Sequence, residues 1–188
     1  MATSKNDKFM KCMKIVFENE GGYVNNPNDS GKETNMGITA ATLKDANNYG
    51  ITKIKDVKKL TRSVCEDIYF AMYWRTSKCD EFDEPLDLMV FDTAVHSGPT
   101  QAIKFLQKSI NEALNGKVLV VDGLYGKNTK NYVDKCTSDI NHTKLLCKTY
   151  LDIRENFLKE LCNKKPKNKV FLKGWMNRIN KLRKIIDE

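Results

Sequence analysis

Apolar side chains recur at the spacing of an α-helix through nearly all of this 188-residue chain, and that periodicity constrains its fold most. Phe9, Met13, Val16 and Glu20 share one helical face, which the pair Gly21-Gly22 then stops. Residues 23–38 break the pattern. Asn25, Asn26, Pro27, Asn28, Asp29, Ser30 and Gly31 are turn formers, so this stretch reads as a loop or a short hairpin. Helical spacing resumes at Thr39 with Leu43 and Ala46, halts near Gly50, and is expected to return over 61–78 with Val64, Ile68, Met72 and Cys79 in register. Pro85 is expected at the first position of a helix through Leu88 and Val95 that ends at Gly98. Pro99 opens another with Ile103, Leu106, Ile110 and Leu114, which Asn115-Gly116 breaks. Residues 118–121 are expected to form a short strand, and 122–126 a glycine-punctuated loop before a helix at about Asn128. Two further helices, parted at 163–166, complete a mainly α protein with a subdomain boundary near Ser97-Gly98-Pro99.

With 40% hydrophobic and 30% charged residues, the chain has enough apolar side chains for one core or two small ones, which excludes collagen-like and low-complexity classes. No stretch approaches the roughly 20 apolar residues needed to span a bilayer. The polar opening, followed by no apolar h-region, implies no secretory signal. The net charge of +8 is uneven: residues 1–100 hold 13 Lys/Arg against 15 Asp/Glu, and residues 101–188 hold 19 against 9. Residues 141–186 alone carry 13 basic and three acidic side chains. Such a back half attracts anions (nucleic acid, a membrane surface or an acidic wall polymer) or is a solvated lysine surface. The six cysteines, at 12, 65, 79, 136, 147 and 162, show no Cys-x-x-Cys spacing and are expected to be buried thiols.

The front loop holds the residues suited to chemistry. Glu20 sits at a helix end on the apolar phase, where partial desolvation would keep it protonated; Asp29 lies in a polar turn, where it would stay ionised, and Thr34 follows. Acid-assisted glycoside hydrolysis uses two carboxylates in contrasting surroundings. Spacing alone does not separate this reading from a solvated glutamate and a turn-capping aspartate. Glu18 is a rival acid that helical phase turns toward solvent, and Glu33 a rival for the water-activating role. Asp92 is either a substrate contact or a buried ion-pair partner. Tyr69, Tyr73 and Trp74 are either core or a sugar-stacking platform, a role for which Tyr23, beside Glu20, is better placed. His96 has no second ligand at metal spacing.

The run Glu20-Gly21-Gly22-Tyr23-Val24-Asn25-Asn26-Pro27, with Asp29, Gly31, Thr34-Asn35 and Gly37-Ile38-Thr39, resembles glycoside hydrolase family 108. These are lysozyme-like N-acetylmuramidases of phage endolysins and of bacterial proteins described as secretion activators. Phe91-Asp92-Thr93-Ala94-Val95-His96-Ser97-Gly98-Pro99, Leu106-Gln107, Asp122-Gly123 with Gly126 and Thr129, and Gly174-Trp175 with Arg178 resemble the peptidoglycan-binding region that follows in that family. Where many relatives carry Gly-Gly before the threonine region, this chain has Ser30-Gly31-Lys32-Glu33.

The resemblance implies a lysozyme-like helical fold, with residues 9–97 catalytic and 98–186 a helical peptidoglycan-binding region. It implies Glu20 as general acid, Asp29 and Thr34 around the attacking water, and Tyr23, Asn35, Asp92 and Tyr125 as substrate contacts. The partner would be peptidoglycan, with anionic wall polymers as a further attraction; no cofactor, metal, specific nucleic acid or membrane insertion is implied. Without a signal, such an enzyme would stay cytoplasmic until released or exported. Two other classes remain open: a non-catalytic wall-binding or secretion-related protein, and a basic nucleic-acid binder.

Overall fold

The first helix, α1 (Asp7–Asn19), forms where the periodicity places it, with Phe9, Cys12, Met13 and Val16 buried along one face. Asn6 caps its start, its Oδ1 accepting from the Phe9 N–H at 2.8 Å. The computed structural model describes residues 6–19, 24–25 and 33–188. The break after α1 contains a three-stranded antiparallel sheet in the order β1 (Val24–Asn25), β2 (Glu33–Asn35), β3 (Ile38–Thr39), pairing Val24 with Thr34 and Thr34 with Thr39. Between β2 and β3, Met36 and Gly37 both have positive φ, 48° and 76°, as a two-residue hairpin turn matched to strand twist requires. Thr39 then caps α2 (Ala40–Asn48), accepting from the Thr42 N–H at 3.1 Å, and α2 buries Leu43 and Ala46.

Thr61 caps α3 (Arg62–Tyr69). The single helix expected over 61–78 is not what forms. After Tyr69 the backbone widens into a π-helical turn, Phe70–Trp74, marked by Arg75 N–H donating to the Phe70 carbonyl at 2.9 Å. The run ends before Lys78, whose φ is 57°. Phe9 meets the rings of Phe70 and Trp74 edge-on at 5.0 and 5.6 Å, so the aromatic cluster of this segment packs against α1. Tyr69 and Trp74 are buried and belong to the core, while Tyr73 is half-buried.

The chain divides into two compact units between Thr76 and Ser77. In the second, α4 (Leu86–Ser97) is buried without interruption from Leu86 to Ala94, so every side of its first turns is covered, the polar Asp87, Asp92 and Thr93 included. It packs on α5 (Pro99–Ala113) and α7 (Ile140–Lys164). The long α7 also carries α8 (Lys169–Asp187), and α6 (Lys127–Cys136) packs on α5. Thus α4, read from sequence as the last helix before a boundary near Gly98, packs with the helices that follow it. Pro85 precedes α4 as its capping residue rather than its first helical one, whereas Pro99 does open α5.

Residues 118–121 form no strand. The Asn111 side chain takes the place of a neighbouring strand, accepting from Leu119 N–H at 2.8 Å and donating to its carbonyl at 2.9 Å, while Val120 is exposed. Leu114, expected on the apolar face of α5, is its C-terminal cap and is exposed. All six cysteines are buried thiols, and burial raises the Cys65 and Cys147 thiols to about 11 and about 12.

Candidate active site

Three of the residues singled out from sequence, Glu20, Tyr23 and Asp29, lie outside the described residues. The chain order still places them: Glu20 follows α1, Tyr23 precedes β1, and Asp29 falls in the connection between the paired strands β1 and β2. Thr34 is described, in the middle strand. Asn35 donates to the Val57 carbonyl at 2.9 Å, and Glu33 lies 3.5 Å from Lys58, so both turn toward the 3₁₀ segment Val57–Lys59. Alternation puts Thr34 on the other face. There it is half-buried, and its hydroxyl has no partner among the described residues. Tyr69 donates to the Met36 carbonyl at 3.1 Å and ties the β2–β3 turn to α3.

Asn35 itself is corrected by this geometry. It is 9% exposed with its amide committed to the Val57 and Leu60 carbonyls, so it anchors the sheet instead of meeting a sugar. Glu18 is exposed, as its phase required.

Of the two roles open to Asp92, substrate contact or buried ion-pair partner, the structure shows the second. It is fully buried; Arg154 donates to its Oδ1 at 2.7 Å, and Arg178 Nε to its Oδ2 at 2.8 Å. Burial alone would raise the carboxyl, but the two guanidinium groups outweigh it and hold the carboxyl below its ordinary value. The arginines come from α7 and α8, 62 and 86 residues away, so no local pattern announced the triad.

His96 sits on its edge. Arg154 Nη2 is 3.3 Å from His96 Nδ1, and because a guanidinium can only donate, Nδ1 is the accepting, unprotonated nitrogen. Burial first, then Arg154 and Arg178, push the imidazole down to about 4. An unfolded histidine, near 6.5, binds a proton that the folded one refuses, so His96 contributes stability above about pH 6.5 that is lost as pH falls toward 4. His96→Asn should flatten the decline of melting temperature between pH 6.5 and 4.5; an unchanged slope would remove His96 from this role.

The turn after α5 is locked by a second polar cluster. Gln107 donates to Asp122 Oδ1 at 2.8 Å and to the Leu124 carbonyl at 3.1 Å, while its own Oε1 accepts from Gly123 N–H at 2.8 Å. Thr129 donates to the same Leu124 carbonyl at 3.3 Å. Gly123 has φ 82°, and a Cβ there would lie 2.8 Å from the Thr100 carbonyl oxygen. Gln107, Asp122, Gly123 and Thr129, which carry the resemblance to a peptidoglycan-binding region, together fold one turn. Gly123→Ala should therefore lower stability by at least about 2 kcal/mol in denaturant unfolding; a loss under about 0.5 kcal/mol would contradict the crowding.

Tyr125, expected to touch substrate, points its hydroxyl inward. Its ring stands edge-on to Phe82 at 5.3 Å, its oxygen is enclosed without a partner, and burial raises its pKa. Among the described residues no cluster of His, Cys, Asp or Glu has the makings of a metal site.

Comparison with known proteins places these features in a family. Residues 13–98 match the model described as "Glycosyl hydrolase 108", and residues 101–180 the one described as "Predicted Peptidoglycan domain". No curated protein matches the chain. Among solved structures, "Structure of Brucella abortus SagA" is 34% identical with a TM-score of 0.78, covering 95% of this chain and 93% of that one. With two adjoining family models and a full-length structural relative, the chain belongs to the glycosyl hydrolase 108 family, a mainly helical, lysozyme-like protein with a C-terminal peptidoglycan domain.

Proposed function

We propose that this protein is an N-acetylmuramidase that cleaves the β-1,4 bond between N-acetylmuramic acid and N-acetylglucosamine in peptidoglycan. Glu20 protonates the leaving oxygen, while Asp29 and Thr34 act around the attacking water, with Tyr23 beside the acid as a sugar contact. Membership of a glycosyl hydrolase family joined to a peptidoglycan domain supports the substrate class. The observation that carries the reading is the placing of Thr34: middle strand, half-buried, hydroxyl uncommitted among the described residues, on the sheet that follows the helix before Glu20. In this reading residues 9–97 hydrolyse and 98–186 hold the wall, the latter helped by excess positive charge toward anionic wall polymers. The enzyme reaches that wall after release or export.

Thr34 supplies the test. A hydroxyl that orients water in the transition state contributes a hydrogen bond to a developing charge, so Thr34→Ala should lower kcat on soluble glycan strands about 10- to 100-fold, with KM little changed. Thr34→Ser should keep most of the activity. Wild-type kcat in Thr34→Ala would remove the residue from the reaction.

A further inference from the structure

The tip between α7 and α8 joins two features, and the hydrolase reading uses only the charge, not the pairing of the two. The first is unbalanced charge. Residues 161–186 contain no Asp or Glu, and Lys165, Lys167, Lys169 and Lys173 are all exposed with no acidic partner among the described residues. Three of them, Lys165, Lys167 and Lys169, stand at or just before the start of α8, where positive charge opposes the helix dipole; helix formation therefore does not account for them.

The second is exposed apolar surface in the same short stretch. Val170 is 77% exposed and Phe171 is 52% exposed. At about 100° per residue, Lys169, Lys173 and Val170 fall within about 100° of arc at the start of α8, and Phe171 lies about 100° further round, on the flank beside Trp175. Phe171 is not a loose side chain: its ring stacks on Trp175 at 5.9 Å and 24°, and Trp175 in turn stands edge-on to His96 at 5.6 Å. The apolar element is thus held in place from beneath, with cations beside it.

We propose that the α7–α8 tip, through Lys165, Lys167, Lys169 and Lys173 with Val170 and Phe171, docks on the surface of an anionic phospholipid bilayer. A bilayer interface accepts both components, phosphate headgroups meeting the ammonium groups and the acyl boundary taking the valine and phenylalanine. A polyanion such as nucleic acid or a wall phosphate polymer would use only the lysines and leave both apolar side chains in water. The contact is peripheral, since no helix among the described residues is long and apolar enough to cross a membrane. It is independent of glycan cleavage.

Co-sedimentation of the full chain with vesicles tests this. Binding to phosphatidylcholine vesicles containing phosphatidylglycerol should exceed binding to pure phosphatidylcholine at least about tenfold and weaken with salt. Val170→Ser/Phe171→Ser should lower vesicle binding about tenfold while leaving binding to inorganic polyphosphate unchanged. Changing the four lysines to glutamine should lower both. Val170→Ser alone is the milder variant; melting curves should match the wild type in every case, and hydrolysis of soluble glycan strands should match it in the serine variants. Vesicle binding unaffected by the serine changes would overturn the proposal in favour of a plain polyanion site. Polyphosphate binding with no vesicle binding, or equal affinity for neutral vesicles, would overturn it too.

Discussion

Asp92→Ala should destabilise the protein by about 3–5 kcal/mol, the usual loss when one partner of a buried ion pair is removed and the other charge is stranded. Here Arg154, at 1% exposure, would lose its buried counter-charge, and Arg178, at 12%, would lose the same carboxyl. For a chain of this length that corresponds to roughly 10–15 °C in melting temperature. The carboxyl links α4 to both α7 and α8, so its loss frees three helices at once. An internal comparison is built in: the Arg183–Asp152 pair is as short, 2.6 Å, but its aspartate is 64% exposed, so Asp152→Ala should cost less than about 1 kcal/mol. Because the folded Asp92 carboxyl lies below its ordinary value, its contribution is complete above about pH 4 and declines as the pH falls further. Equal losses from Asp92→Ala and Asp152→Ala would refute the structural role of the triad.

Glu20→Gln should lower hydrolysis of peptidoglycan about 10²- to 10⁴-fold, the range supplied by a positioned general acid, with stability close to the wild type. The expectation rests on phase. The buried face of α1 runs through Phe9, Met13 and Val16, and the next position in that series is 20. Glutamine keeps the shape and removes the transferable proton. Glu18→Gln is the matched control, two residues away on an exposed position, and should retain full activity. Equal activity of both variants would mean that neither is the acid.

Much of the architecture was legible because it is local. Apolar spacing located α1, α2 and α5 to α8, and Thr39, Thr61 and Pro99 mark helix starts where their chemistry says they should. The failures share a physical cause, long-range packing. The π-helical turn at Phe70–Trp74 accommodates large rings against α1, and residues 118–121 give up strand geometry to a side chain of α5. The packing of α4 with the second unit rests on a helix buried on every side and tied by Asp92 to α7 and α8, which periodicity reads as helix without saying where it is buried. The candidate contacts divide in the same way. Asn35, Asp92 and Tyr125 stand out by residue type and motif, yet each packs on groups distant in sequence: the Val57 carbonyl, two arginines and the Phe82 ring. Thr34 remains facing away from its neighbours' anchors because strand alternation, a local rule, puts it there.

The most direct measurement is the identity of the new chain end when the wild-type protein digests defined, uncrosslinked glycan strands. N-acetylmuramic acid should stand at every new reducing end, with the Glu20→Gln protein releasing almost none. N-acetylglucosamine at the new reducing end, or strands left whole by a folded wild-type protein, would contradict it.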